Sequence, residues 1–178
     1  MASQQSREMT KFLRGMRAVR EYTREPIPDD VVDDILEVGR WSGSASNAQP
    51  TEVVVVRDPA VLQMLAQGGA RPAAGAALAL VIVTPGDPDR HDLEVFDDGR
   101  LVERLLLAAR AHDLGGNIAT LKGEGPATIK AALAIPPEKR VWSVVTLGHI
   151  DVEARKARPA SSVPARKPAT DFVHWDRY

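Results

Sequence analysis

Two runs of consecutive apolar residues, Val53 to Val56 and Ala79 to Val83, constrain the fold of this chain more than any other feature of its sequence. A strand with one wet face alternates apolar and polar side chains. Runs this uniform and this rich in β-branched residues predict central strands covered on both faces. Both faces then need helices, and the remaining pattern supplies them. Met9, Phe12, Leu13 and Met16 recur at helical spacing and predict a first helix over Ser6 to Met16, with Arg17 to Arg20 at its C-terminal end. A second helix is expected after Pro26-Ile27-Pro28. Pro28 suits its first turn, Asp29 and Asp30 favour its dipole, and Val31, Val32, Ile35 and Leu36 give it a buried face. Pro59 to Gln67 reads as a short helix and Asp97 to Leu114 as the strongest one, with Leu101, Leu105, Ala108 and Ala109 as its apolar stripe.

Gly115 and Gly116 are expected to end that helix as a cap. Trp41 to Pro50, a run of small polar residues, and Thr84 to Arg90, with its prolines and glycine, read as loops. A shorter helix near Ala127 to Ala134 and a third strand over Val141 to Leu147 complete the pattern. Two helices precede any strand, which fits a three-layer α+β domain better than a regular doubly wound sheet. From Asp151 onward prolines and charges rule out a core helix, yet the segment ends in Phe172, Val173, Trp175 and Tyr178. An extended arm that docks this aromatic end on a surface, such as a partner subunit, accounts for both features.

Several kinds of chemistry are excluded. With no cysteine there is no disulfide, no thiolate nucleophile and no thiolate-held metal, so any redox chemistry must belong to a cofactor. The four histidines, His91, His112, His149 and His174, lie far apart without a metal-binding spacing. No Gly-x-Ser-x-Gly elbow supports serine hydrolysis. A net charge of -1, with basic residues scattered along the chain apart from a modest run near Arg155 to Lys167, argues against a nucleic-acid partner. Residues 1–14 are polar, and no run of about 18 apolar residues occurs anywhere, so no membrane partner and a cytoplasmic location are expected. The 178 residues suit one domain with a core of its own.

Arg17 and Arg20 are three apart and share a side if the helical turn persists through them; Asn47 and Gln49 share a side if their segment is extended. Arg166 stands among prolines in Pro164-Ala165-Arg166-Lys167-Pro168. For each arginine taken singly, a solvated surface role is the commoner outcome.

Together these residues resemble the FMN-dependent nitroreductases. The resemblance covers almost the whole chain. Its most specific part is Arg17-Ala18-Val19-Arg20-Glu21-Tyr22, then Pro26-Ile27-Pro28, then Ser44-Ala45-Ser46-Asn47-Ala48-Gln49-Pro50 entering a valine-rich strand. Leu105 to Ala109 with Leu114-Gly115-Gly116, then Ala134-Ile135-Pro136 and Thr146-Leu147-Gly148-His149, are similar to later landmarks of the family in the same order, and Arg166-Lys167-Pro168 to its closing phosphate motif.

The resemblance implies an α+β, three-layer α-β-α fold with a mainly antiparallel central sheet, an extended C-terminal arm over about residues 151–178, and a single domain spanning residues 1–178. It implies bound FMN, reduced by NAD(P)H and reoxidised by an acceptor such as a nitroaromatic or quinone. The cofactor-binding residues would be Arg17, Ala18, Arg20, Ser44, Ala45, Asn47, Gln49, Gly115, Gly116 and Arg166, with no catalytic side chain and no metal. A phosphate dianion suits Arg17 and Arg166. A fixed cation such as Arg20 near flavin N1 and O2 stabilises the reduced ring. The Asn47 amide can pair the pyrimidine edge, with Gln49 nearby. In a homodimer the arginine segment of one chain would meet the Ser44 to Gln49 loop of the other, and the arm would wrap the partner.

Three residues depart from the family pattern. Met16 stands where an arginine is common, Ala18 replaces a usual serine, and Gly43 a usual proline, which puts phosphate affinity in question. Between Arg90 and Leu101 there is no room for the lid of larger relatives, so an open pocket is expected. The alternatives are a flavin-storage protein without significant turnover, or the same fold running a different flavin reaction.

Overall fold

Strand β2 (Leu78–Thr84) is the spine of the molecule: all seven of its residues are buried. Its side chains divide by parity, as a pleated strand must. Leu78, Leu80 and Ile82 face one core, and Ala79, Val81 and Val83 face the other. β2 pairs with β1 (Glu52–Val56) and with β4 (Arg140–Gly148), and β4 pairs with β3 (Gly115–Thr120). All pairings are antiparallel, in the order β1-β2-β4-β3. The computed structural model describes residues 3–159 and 166–178.

On one face lie α2 (Asp29–Arg40) and α4 (His91–Ala111), contributing Val32, Ile35, Leu101 and Leu105 to the core they share with Leu80 and Val145. On the other lie α3 (Pro59–Gln67) and α5 (Gly125–Ala132), which bury Leu62, Leu65 and Ile129 against Val81 and Val144. The architecture is therefore α+β, with an antiparallel sheet between two helical layers. Burying a Leu or Ile at such positions is worth roughly 1.5–3 kcal/mol each, so the two clusters hold the layers together. No helix among the described residues is long and apolar enough to cross a membrane.

Several elements differ from what the sequence pattern predicts. The run Val53 to Val56 forms an edge strand, not a central one: among the described residues β1 pairs only with β2, and Glu52 and Val55 are exposed. Helix α4 begins at His91, six residues before the expected Asp97, because its first turns bury Glu94, Asp97 and Asp98 where an apolar stripe would be sought. Its end is equally displaced. The helix stops at Ala111, and Asp113 takes the left-handed conformation (φ 57°) that glycine usually supplies. Leu114 N then donates to Ala109 O, closing the end of the helix. Gly115 and Gly116 do not cap it; they open β3, a strand that Gly-Gly-Asn-Ile-Ala-Thr does not advertise.

Helix α1 (Gln4–Arg14) buries no residue, and Met9 and Leu13 of its apolar stripe are exposed. The short α6 (Val152–Ala157) also buries nothing, consistent with a chain that leaves the core after β4.

Candidate functional site

The segment between α2 and β1 is the most constrained loop of the chain. Ser46, Asn47 and Gln49 all have φ between 52° and 54°, although none is glycine. Left-handed backbone at such residues is costly, and it persists only where the surroundings over-determine it. Here Ser44 and Asp97 do so. Gln49 N donates to Ser44 Oγ (2.8 Å), Asn47 N donates to Ser44 O (3.0 Å), and Ala45 N donates across to Asp97 Oδ2 on α4 (3.1 Å). The side chains of Ser46, Asn47 and Gln49 are exposed, so the strain is not repaid by packing. The loop is a tight turn, not the extended segment on which a shared side for Asn47 and Gln49 depends; instead Gln49 Nε2 donates to Asn47 O (3.3 Å). Beneath it, Ser44, Gln49 and Asp97 line a cleft of about 330 Å³ whose wall is Leu36, Leu101 and Leu105.

Residues 16–23 form the second constrained segment. Helix α1 ends at Arg14, so the helical premise that would align Arg17 with Arg20 does not hold. The chain runs instead beside the sheet. Val19 N donates to Gly116 O (2.8 Å), Tyr22 bridges to Ile150, and Asp151 N donates to Glu21 O (3.1 Å). The Tyr22 hydroxyl is buried between Val19 O (2.5 Å) and the Thr146 side chain (2.9 Å), and burial pushes its pKa up to about 12, so it stays a neutral donor. Two glycines make the docking possible. A Cβ on Gly115 would lie 2.7 Å from Val19 Cγ1, and one on Gly148 would lie 3.0 Å from the Tyr22 side chain. Gly115 is thus occupied by packing within the chain. Gly116, half-buried, lines a cleft of about 260 Å³ together with Met16 and Arg17.

Arg17 is exposed, and its Nη1 donates to Arg14 O (2.8 Å) and Met16 O (2.6 Å). Ala18 and Arg20 are also exposed, and neither lines that cleft. Gly43 has its own neighbour: a Cβ there would sit 2.3 Å from Arg100 Nη2. Arg166 and the aromatic end of the chain, Phe172, Trp175 and Tyr178, are exposed as well; Pro164 and Ala165 lie outside the described residues.

Within one chain the structure therefore brings Arg17 and Gly116 to one cleft and Ser44 and Gln49 to another, with no lining residue in common. The first is cationic with an apolar floor and suits an anionic group. The second sets Arg40, Asp97, the hydroxyl residues Ser42 and Ser44 and the Gln49 amide beside an apolar wall, and suits the edge of a planar heterocycle. Asp97, which holds the loop and lines its cleft, is the residue of this candidate site that the sequence reading missed. Its signal is the spacing Glu94, Asp97, Leu101, Leu105 and Ala108, which sets acids on the buried stripe of a helix.

Comparison with known proteins gives the same direction. The nitroreductase family model matches residues 13–74. An Archaeoglobus fulgidus protein provisionally named NADH dehydrogenase/NAD(P)H nitroreductase is 30% identical over 148 residues, covering 80% of this chain and 85% of that one. The NADPH:FMN oxidoreductase of Vibrio harveyi, solved in complex with NAD+, is 26% identical with a TM-score of 0.77 over 95% of this chain and 77% of its own. An FMN-dependent nitroreductase from Clostridium difficile, 21% identical, shares the fold with a TM-score of 0.79 over 96% of this chain and 100% of its own. Identity at this level over most of both sequences, on a common fold, leaves one conclusion: the chain belongs to the nitroreductase family.

Proposed function

We propose that the protein is a homodimeric, FMN-dependent oxidoreductase that passes reducing equivalents from NAD(P)H to an acceptor such as a nitroaromatic or quinone. FMN, when bound, supplies reversible two-electron transfer between the pyridine nucleotide and the acceptor. The observation that carries this reading is the Ser44 to Gln49 loop. Three non-glycine residues are held in left-handed backbone by Ser44 and Asp97 while their side chains face outward, an arrangement that serves recognition and not packing.

In this reading Arg17 and Arg166 hold the phosphate, and Arg20 places a fixed positive charge beside the pyrimidine end of the ring. Asn47 offers its amide to that edge, with Gln49 near it, and Ser44, Ala45 and Ala18 are small enough to admit the ring closely. Gly116 keeps the cleft at Arg17 open, where a Cβ would meet Leu106 at 2.5 Å, and Gly115 keeps the arginine segment docked. No side chain acts as acid or base. The chain's own part is to bind, to orient and to set the electrostatic environment of the ring.

The two clefts of one chain do not merge, which supports a site completed by a second copy. So does the exposed apolar surface of Met9, Leu13, Phe172 and Trp175, of a kind that subunit contact covers. Residues 1–178 then act as one domain, with the arm from about residue 151 packed on the partner and the protein working in the cytoplasm.

The test is an absorption spectrum of the purified protein after addition of FMN, before and after anaerobic NADPH. Bound flavin bands that bleach with NADPH and return with a quinone are the expected result. Bands that persist would mean storage, and failure to bind FMN would end the reading altogether.

A further inference from the structure

The cleft beside Met16 has three arginines on its lining: Arg17, Arg110 and, from α6, Arg155. Two of them are engaged. Arg110 Nη1 pairs with Asp113 at 2.9 Å, and Arg17 rests on the carbonyl oxygens of its own turn. Arg155 is half-buried, yet among the described residues its guanidinium has neither a carboxylate nor a carbonyl partner. Its position is fixed by the main chain. Asp151 caps α6 by accepting from Ala154 N (2.8 Å), and Asp151 N donates to Glu21 O, so α6 is tied to the same segment that carries Arg17. The floor below is apolar, formed by Leu106, Leu114 and Ile150. A half-buried cation without a counter-ion, over an apolar floor and on a lining shared with two further arginines, is unfavourable unless an anion joins it.

We propose that Arg155 is a phosphate-binding residue for FMN, supplying from α6 the positive charge that Met16 does not. The assignment rests on the flavoprotein reading above and adds to it a group that the family resemblance does not mark. The cleft geometry explains how a chain with methionine at position 16 retains a multiply cationic phosphate site: the missing charge enters from the other end of the sheet-flanking segment, through the Glu21–Asp151 contact.

The experiment is a pair of fluorescence-quenching titrations, with FMN and with riboflavin, on the wild-type protein and on Arg155→Gln and Arg155→Lys. Riboflavin has the same ring and ribityl chain but no phosphate. Losing one charge-assisted contact predicts a drop in FMN affinity of about ten- to a hundredfold in Arg155→Gln, with riboflavin affinity unchanged and partial recovery in Arg155→Lys. The salt dependence of FMN binding should fall in the glutamine variant as well. Unchanged FMN affinity in Arg155→Gln, with wild-type protein binding FMN, would overturn the assignment while leaving the flavoprotein reading intact. Equal losses for FMN and riboflavin would also overturn it, since they would reveal a structural role. Absence of FMN binding by the wild type would instead remove the flavoprotein reading, and the assignment with it.

Discussion

The Asp97 carboxylate accepts a hydrogen bond from Ala45 N at 3.1 Å, joining the long helix of one layer to a loop 52 residues earlier in the chain. Asp97 is almost wholly buried, and it is a positioning residue for that loop.

Asp97→Ala should therefore cost about 1–3 kcal/mol of stability, the usual penalty for removing a buried charged acceptor. It should also release Ser46, Asn47 and Gln49 from their left-handed backbone and weaken FMN binding. Urea unfolding combined with flavin titration measures both. An FMN affinity equal to wild type would show that the loop does not need its tether.

Asp98, one residue on, behaves differently. Burial of its carboxyl pushes its pKa up to about 6, and the opposing pull of the Ser143 hydroxyl is the smaller effect. The unfolded chain ionises this group near 3.8, so stability falls as pH rises from about 4 to about 6, and the penalty is complete above that. Asp98→Asn should flatten this slope and raise stability at pH 7 by about 1–3 kcal/mol. Thermal melts across that pH range test it; an unchanged slope would assign the pH dependence elsewhere.

Glu94 is the third buried acid of α4 and a fully satisfied one. It accepts from Thr84 Oγ1 (2.8 Å), from the main-chain N–H groups of Gly86 and Asp87, and from Arg140 Nη1 (2.9 Å). Glu94→Ala removes the carboxylate from Arg140, leaving it His91 Nδ1, and frees the loop after β2. A loss of about 3–5 kcal/mol is expected by denaturant unfolding. A change of under about 1 kcal/mol would mean that water replaces the carboxylate without cost.

Gly99 lies on the exposed side of α4, and a Cβ there meets nothing within 4 Å. Gly99→Ala should stabilise the protein by about 0.5–1 kcal/mol through helix propensity alone. The same change at Gly115, where a Cβ would press on Val19, should cost about 1–3 kcal/mol. Melting temperatures of the two variants should move in opposite directions.

Much of this fold is legible in the amino-acid order. The five-residue run Ala79 to Val83 lies within a strand buried on both faces, and α3 spans the expected Pro59 to Gln67, because Asp58 caps it and Pro59 opens it. What escapes notice shares one cause: residues chosen for a tertiary contact disguise the local pattern. β3 opens on glycines because Val19 and Leu106 need the space, and the first turns of α4 look like loop because acids occupy its inward positions. The candidate site divides the same way. Arg17, Ser44 and Gln49 are visible as residue types, whereas the backbone that aims them is not, since no glycine at positions 46, 47 or 49 signals a left-handed turn. Asp97 acts from an element distant in sequence, where no local motif points to it, and Arg155 opens a modest basic run, Arg155 to Lys167, that singles out no one residue.

The Tyr22–Thr146 bond spans 124 residues, and this has a temporal meaning. On a ribosome the segment around Tyr22 is made well before Thr146 and waits without its anchor until strand β4 has followed. The fixed placement of that segment is therefore a late gain of folding, available only once residues far along the chain have joined the sheet.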